Sequence, residues 1–152
     1  MKIHVIAVGR WKAGPEKALF ETYAKRLNTP LSLIEVEEKK KLPPTKLKER
    51  EGELLLAALP QGATVVALDE RGKSLKSKDF AKKIGDWRDS GVRDLAFLIG
   101  GADGHSESVR SRADLLFSFG TMTWPHMLVR PLIAEQVYRA MSILSGHPYH
   151  RE

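Results

Sequence analysis

The 152-residue sequence contains no cysteine, which excludes disulfides, thiolate nucleophiles and every zinc site built on cysteine. It also lacks any apolar run near the roughly 20 residues that cross a bilayer. The opening stretch, Met1 to Val8, is short, interrupted by His4 and followed by Gly9, Arg10 and Lys12. It has neither the length nor the cleavage-site pattern of a secretory signal, so a cytoplasmic protein is expected. No Gly-Lys-Ser/Thr follows any glycine pair, no GxGxxG is present, and the five histidines include no His-Glu pair at helical ligand spacing. The usual marks of phosphotransferases, dinucleotide enzymes and zinc sites are therefore missing, and no metal is expected.

Negative charge is in deficit. Lys and Arg number 25 against 19 Asp and Glu, a formal charge of +6, and such a surface attracts polyanions. Basic proteins that never touch nucleic acid are common, so charge alone leaves an RNA partner as one option. With 42% hydrophobic and 29% charged residues the composition is globular. The length suits one domain, 1–152, with no repeat or linker. A cleft that needs a second wall must find it in a partner, most simply a second copy.

The apolar runs define the elements. Ile3 to Val8, Leu31 to Val36, Ala63 to Leu68, Leu95 to Ile99 and Leu115 to Phe119 read as strands, and the lack of polar alternation in Val65 to Leu68 predicts helices on both faces. Helices are expected after Pro15, after a Thr45 cap, over Ser77 to Trp87, over Ser106 to Arg112, and from near Pro131 to Gly146, with Arg130 in the turn before the last. Arg71 to Lys76 reads as a basic loop. Strands alternating with helices predict an α/β domain with a mainly parallel central sheet.

Open α/β sheets bind ligands beyond the carboxyl ends of their strands. Gly100-Gly101-Ala102-Asp103-Gly104 follows the fourth strand, where consecutive glycines let backbone approach a ligand with no Cβ in the way; a tight strand-to-helix turn is the equal alternative. Asp69 and Glu70 read as solvated loop carboxylates before ligand groups, and Asp103 as a turn former. Thr121 to His126 combines hydroxyls, an aromatic and a proline in a compact polar stretch, able either to read an adenine edge or to pack Trp124 inward. Glu135 and Arg139 share a helix face, with an ion pair as the ordinary reading. The tail His147-Pro148-Tyr149-His150-Arg151-Glu152 gathers groups that can stack on a base, bind phosphate and move a proton.

These segments together, Leu98 to Gly101, Thr123 to His126, Leu128 to Arg130, Glu135 to Ala140 and the His147 to Arg151 tail, closely resemble the ribosomal RNA large subunit methyltransferase H family, collinearly from Val5 to Glu152. The resemblance implies a SPOUT-class fold with a carboxyl-terminal trefoil knot. It implies a homodimer that moves the methyl of S-adenosylmethionine to N3 of a pseudouridine in a 23S rRNA stem-loop, on the assembled ribosome. It places the cofactor along Leu68, Gly100, Gly101, Gly120, Thr121, Met122, Thr123, Trp124 and Pro125. Near the target base it places Tyr149, His150 and Arg151, with Arg139 beside them. Trp124 stands where leucine or phenylalanine is common in relatives, which enlarges the apolar wall.

The residue types suggest roles. Arg151, with Arg139 second, would stabilise negative charge on the base carbonyls; His150 or water would take the N3 proton; Tyr149 would position the base. Arg10, Lys12, Lys39 to Lys41, Arg71, Lys73 and Lys76 are candidate phosphate contacts. A non-enzymatic basic RNA-binding module is the alternative, but it leaves the glycine turn and the Thr121 to His126 segment unexplained.

Overall fold

The apolar runs pair as five parallel strands in the computed structural model, which describes residues 1–151. In chain order the elements are β1 (Lys2–Val8), α1 (Pro15–Arg26), β2 (Leu31–Val36), α2 (Pro44–Ala57), β3 (Thr64–Ser74), α3 (Ser77–Asp89), β4 (Asp94–Ile99), α4 (Glu107–Arg112), β5 (Leu115–Ser118) and α5 (His126–Ser145). The sheet order is β2-β1-β4-β3-β5, so the expected parallel α/β domain is present.

Alternation along the strands divides the core into two layers. Ile3, Val5, Ala7, Val66, Leu95, Phe97 and Ile99 face α1, α3 and α5, meeting Phe20, Phe80, Ile84, Ile133 and Val137. Ile6, Val8, Val65, Ala67, Ala96 and Leu98 face α2 and α4, meeting Leu55 and Val109. Both faces of the central strands are thus buried, the physical reason their sequences run apolar without alternation. Each large side chain so buried contributes about 1.5–3 kcal/mol.

Four expectations fail locally. Residues 71–74 of the expected basic loop continue β3, because their backbone pairs with β5: Lys73 stands opposite Phe117 and Ser74 opposite Ser118. Phe117 is also opposite Leu68, so the chain between Leu68 and Lys73 bends around one position of β5. At that bend a Cβ on Gly72 would lie 2.5 Å from the backbone of Leu116, an approach only glycine permits. Thr45 does not cap α2; Pro43 holds that position and Pro44 begins the helix, where its missing N–H costs nothing. Helix α5 starts at His126, so Pro131 lies inside it and Arg130 is helical rather than in a turn. Pro125, with its fixed φ, supplies the entry. Asp69 is not solvated, as described below.

Candidate active site

Beyond the carboxyl ends of β4 and β5, and against the bend of β3, lies a cavity of about 520 Å³, within the range that holds small molecules. Three segments form its walls: Leu68 to Arg71 at the bend within β3, Ile99 to His105 at and after the end of β4, and Phe119 to Trp124 after β5, with His126 and Val129 entering from the first turns of α5. The floor is apolar, from Leu68, Ile99 and Phe117. Met122 and Trp124 stand exposed at the rim; Trp124 does not pack inward.

The glycine loop makes the tight turn its sequence allowed. Gly104 N–H donates to the Gly101 carbonyl at 3.0 Å, closing a tight turn, and the same residues line the cavity. The loop rests on two buried polar side chains. A Cβ on Gly101 would come within 2.9 Å of Glu51 Oε1 and force a shift there, and one on Gly100 would sit tightly, 3.2 Å from His105 Nδ1. Burial pushes the Glu51 carboxyl above its ordinary range, and the charge of Asp103 adds to this. Burial likewise pulls His105 below the ordinary histidine value.

Asp69 borders the cavity with its carboxylate only 5% exposed. It accepts from the Arg71 backbone N–H at 2.9 Å and from Arg71 Nε at 3.2 Å, and it pairs with Arg110 Nε at 3.2 Å. Burial would raise its pKa, but the Arg71 hydrogen bonds and the Arg110 charge outweigh this and hold it below the usual carboxylate range. The carboxylate is saturated by its own cations, so it orients Arg71 and Arg110 rather than receiving a ligand.

The cavity's position relative to β1 and β2 is fixed by Arg130. Its side chain is fully buried and donates through Nη1 to Glu35 at 2.6 Å and through Nη2 to the carbonyls of Val8 and Gly9 at 3.2 and 2.8 Å. The guanidinium also lies 4.6 Å from the centre of the Trp11 ring. Glu35 is partly buried, which raises its pKa, yet the Arg130 bond and the Trp11 amide bring it below its ordinary value.

Of the residues expected to hold a cofactor, Leu68, Gly100, Gly101, Gly120, Met122, Thr123 and Trp124 border the cavity. Thr121 and Pro125 do not; they belong to the same exposed segment, and the Pro125 carbonyl is taken by the N–H groups of Leu128 and Val129 at 2.9 and 3.1 Å. The four residues expected near a base are elsewhere. Arg139 donates to Glu135 Oε1 through Nε at 3.0 Å and Nη2 at 2.6 Å, the intrahelical pair its spacing predicted. Tyr149 O–H donates to the same oxygen at 2.9 Å, and the Arg139 guanidinium stacks 4.8 Å from the Tyr149 ring centre. A guanidinium only donates, so at 3.0 Å it is His150 Nδ1 that accepts from Arg139 Nη1. Burial, with Tyr23 and Glu135 alongside, pushes the Tyr149 hydroxyl well above its ordinary value, so it stays protonated. Arg151 follows, exposed.

None of these four borders the cavity of its own chain. Arg139 lies ten positions beyond Val129 on α5, about 15 Å at helical rise. Sequence reasoning missed Lys48, Glu51, His105 and Arg110. Glu51 had a signal: it sits one turn from Leu47 and from Leu55, on the apolar face of α2. Among the described residues no cluster could hold a metal ion, and no helix is long and apolar enough to cross a membrane.

Comparison with known proteins adds to this geometry. The family model described as "Predicted SPOUT methyltransferase" matches residues 1–150. The chain is 64% identical over 151 residues to the ribosomal RNA large subunit methyltransferase H of Paramagnetospirillum magneticum, and 56% identical to that of Rhodospirillum rubrum, covering 99% of both chains in each case. Among solved structures it resembles the SpoU methyltransferase AviRb of Streptomyces viridochromogenes in complex with AdoMet, with TM-score 0.50, 15% identity, and coverage of 95% of this chain and 58% of that one. A Legionella pneumophila methyltransferase structure with bound SAM gives the same TM-score at 13% identity, covering 93% of this chain and 66% of that one. At such identities the structural likeness is one of fold.

Proposed function

The chain belongs to the ribosomal RNA large subunit methyltransferase H family of SPOUT methyltransferases, and from that premise we propose that it transfers the methyl group of S-adenosylmethionine to N3 of a pseudouridine in a 23S rRNA stem-loop, on the assembled ribosome and as a cytoplasmic homodimer. The observation that carries this reading is the glycine-walled, apolar-floored cavity beyond β4 and β5 and against the bend of β3. Its volume suits a nucleoside-sized ligand, and Gly100 and Gly101, seated closely on His105 and Glu51, set the backbone of the loop along its wall. Leu68, Gly100, Gly101, Gly120 and the segment to Pro125 would hold the cofactor. When bound, it supplies a methyl group already activated on its sulfonium.

The protein's remaining tasks are to hold N3 in line with the methyl and to manage its proton and charge. Arg151 and Arg139 serve as the charge-stabilising cations for the carbonyl oxygens flanking N3. Glu135 fixes Arg139, and protonated Tyr149 positions the base. Because Arg139 engages the His150 lone pair, water takes the N3 proton unless that contact opens. The tail does not border its own cavity, so in this reading a second copy brings its Tyr149 to Arg151 segment to the first copy's cavity. Family membership carries the trefoil knot over, as an expectation, to the carboxyl-terminal part of the chain. A hairpin loop offers the base without a large unpairing cost.

The test is methyl transfer to ribosomes from a strain lacking the gene, with mass-spectrometric mapping of the 23S rRNA. One methyl gained on a pseudouridine is expected. An unchanged modification pattern sinks the substrate, and calorimetry showing no S-adenosylmethionine binding sinks the enzyme reading altogether.

A further inference from the structure

The last turns of α5 border a second cavity, of about 340 Å³, at the opposite end of that helix from the first. Its lining comes from the end of α1 and the turn into β2, the end of α3, and the end of α5. Hydrogen-bond donors converge on it: Arg26, Asn28, Thr29, Arg88, Tyr138 and His147. No described residue of the lining is acidic, whereas Asp69, Glu70 and Asp103 border the first cavity. Arg26 is held without being neutralised. Its guanidinium lies 5.0 Å from the centre of the Tyr23 ring and 5.8 Å from that of Tyr138, and among the described residues no carboxylate pairs with it. Arg88 meets only the adjacent Asp89, at 3.3 Å and with both side chains exposed, a contact worth little in water. A guanidinium fixed against aromatic faces with its N–H groups unspent is placed to receive an anion.

We propose that this second cavity binds a backbone phosphate of the rRNA substrate, with Arg26 and Arg88 as its cations. The inference rests on the methyltransferase reading above and adds one substrate contact to it. A phosphate suits the lining because the planar guanidinium fork matches its oxygens, and because a ring of donors without an acid favours a charged acceptor and repels cations. The cavity is also continuous with the tail. Tyr138 lines it, and the Tyr138 ring lies 4.6 Å edge-on from that of Tyr149, which carries Arg139 on its face. The phosphate site and the residues assigned to the target base therefore share one aromatic cluster, so the bound phosphate belongs to the strand close to the modified nucleotide. A contact of this kind sets the register of the RNA and reads no sequence.

Steady-state methylation of ribosomes from a strain lacking the gene tests this, with a double variant, Arg26→Gln with Arg88→Gln, set against the native enzyme. The KM for ribosomes should rise about tenfold while kcat is retained, because a phosphate contact holds the RNA alike in the ground and transition states. Arg88→Gln alone alters one exposed side chain and should raise KM less, in the same direction. A control pair, Lys46→Gln with Lys82→Gln, removes the same charge from exposed positions that line neither cavity and should leave KM near the native value. A KM for the double variant no higher than the control's overturns the site, as does a fall in kcat with KM unchanged. An unchanged KM for Arg88→Gln overturns it even if the double variant does not fold. Calorimetry should show the native affinity for S-adenosylmethionine in each variant, and light scattering the native mass. A double variant that dissociates to monomers makes the cavity an interface between copies and overturns the phosphate assignment. Native enzyme that methylates no ribosome fails the function reading itself, and this contact falls with it.

Discussion

Helix α5 carries two arginines with opposite fates. Arg130 is fully buried, bound to Glu35 and two backbone carbonyls, and stacked on Trp11. Arg139 remains 23% exposed, held by Glu135 and His150 and stacked on Tyr149. The first ties the start of the helix, and with it one wall of the cavity, to the ends of β1 and β2. The second sits in a cluster that touches no part of that cavity. One helix therefore carries architecture at one end and, in the proposed enzyme, chemistry at the other. A cation with all its donors buried is committed to the fold, while a partly exposed one can still meet a substrate.

The sharpest way to break this contrast is to remove each arginine in turn. Arg130→Ala strips a buried pair of its cation and leaves Glu35 uncompensated, so chemical denaturation should show a loss of about 3–5 kcal/mol. Arg139→Ala should cost no more than about 1 kcal/mol, because its pair is partly solvated, yet slow methyl transfer about 100-fold at saturating cofactor. If the two variants lose stability equally, burial does not separate their roles.

The cavity side of the contrast has its own pH signature. The folded-state pKa of Glu51 is raised, so the native state binds its proton more tightly than the unfolded chain does. This contribution to stability is full below the ordinary carboxylate range and is lost as pH rises from that range through the raised folded value. Glu51→Gln should flatten that slope, and urea midpoints from pH 4 to 8 should show the variant gaining on the native protein as pH rises. Smallest in effect is the basic surface. Charge reversal of Arg71, Lys73 and Lys76 should weaken rRNA binding, with the salt dependence of affinity reduced by about one charge per true phosphate contact. An unchanged salt slope removes the cluster from the RNA footprint.

How far the sequence showed this in advance depends on which partner each residue needed. The strands were legible because buried parallel strands are continuous apolar runs, and Val65 to Ala67 could be read without knowing their neighbours. Residues 71–74 were not, since charged residues and glycine become strand only by pairing with β5. The start of α5 was misplaced because Pro131 fits a first turn by rule, whereas Pro125 begins the helix and the buried bonds of Arg130 hold the early turns in place. At the site, Gly100 and Gly101 announced a close approach, and Glu135 and Arg139 announced their pair. His105 and Glu51 remained hidden, because whether a polar side chain supports a loop or faces water is decided by tertiary contacts.

The central claim is that the cavity of one chain works with the tail of another, and subunit mixing tests it most directly. Two inactive homodimers are needed: Gly101→Trp, which drives the glycine loop off Glu51 and so disrupts the cavity wall, and Arg151→Ala, which removes the exposed cation of the tail. Each should be inactive alone. After equal mixing and exchange, half the dimers are hybrid and each hybrid has one intact cavity facing one intact tail, so methyl transfer should return to about a quarter of the native rate. Mixtures as inactive as the parents, with exchange confirmed, would contradict the account.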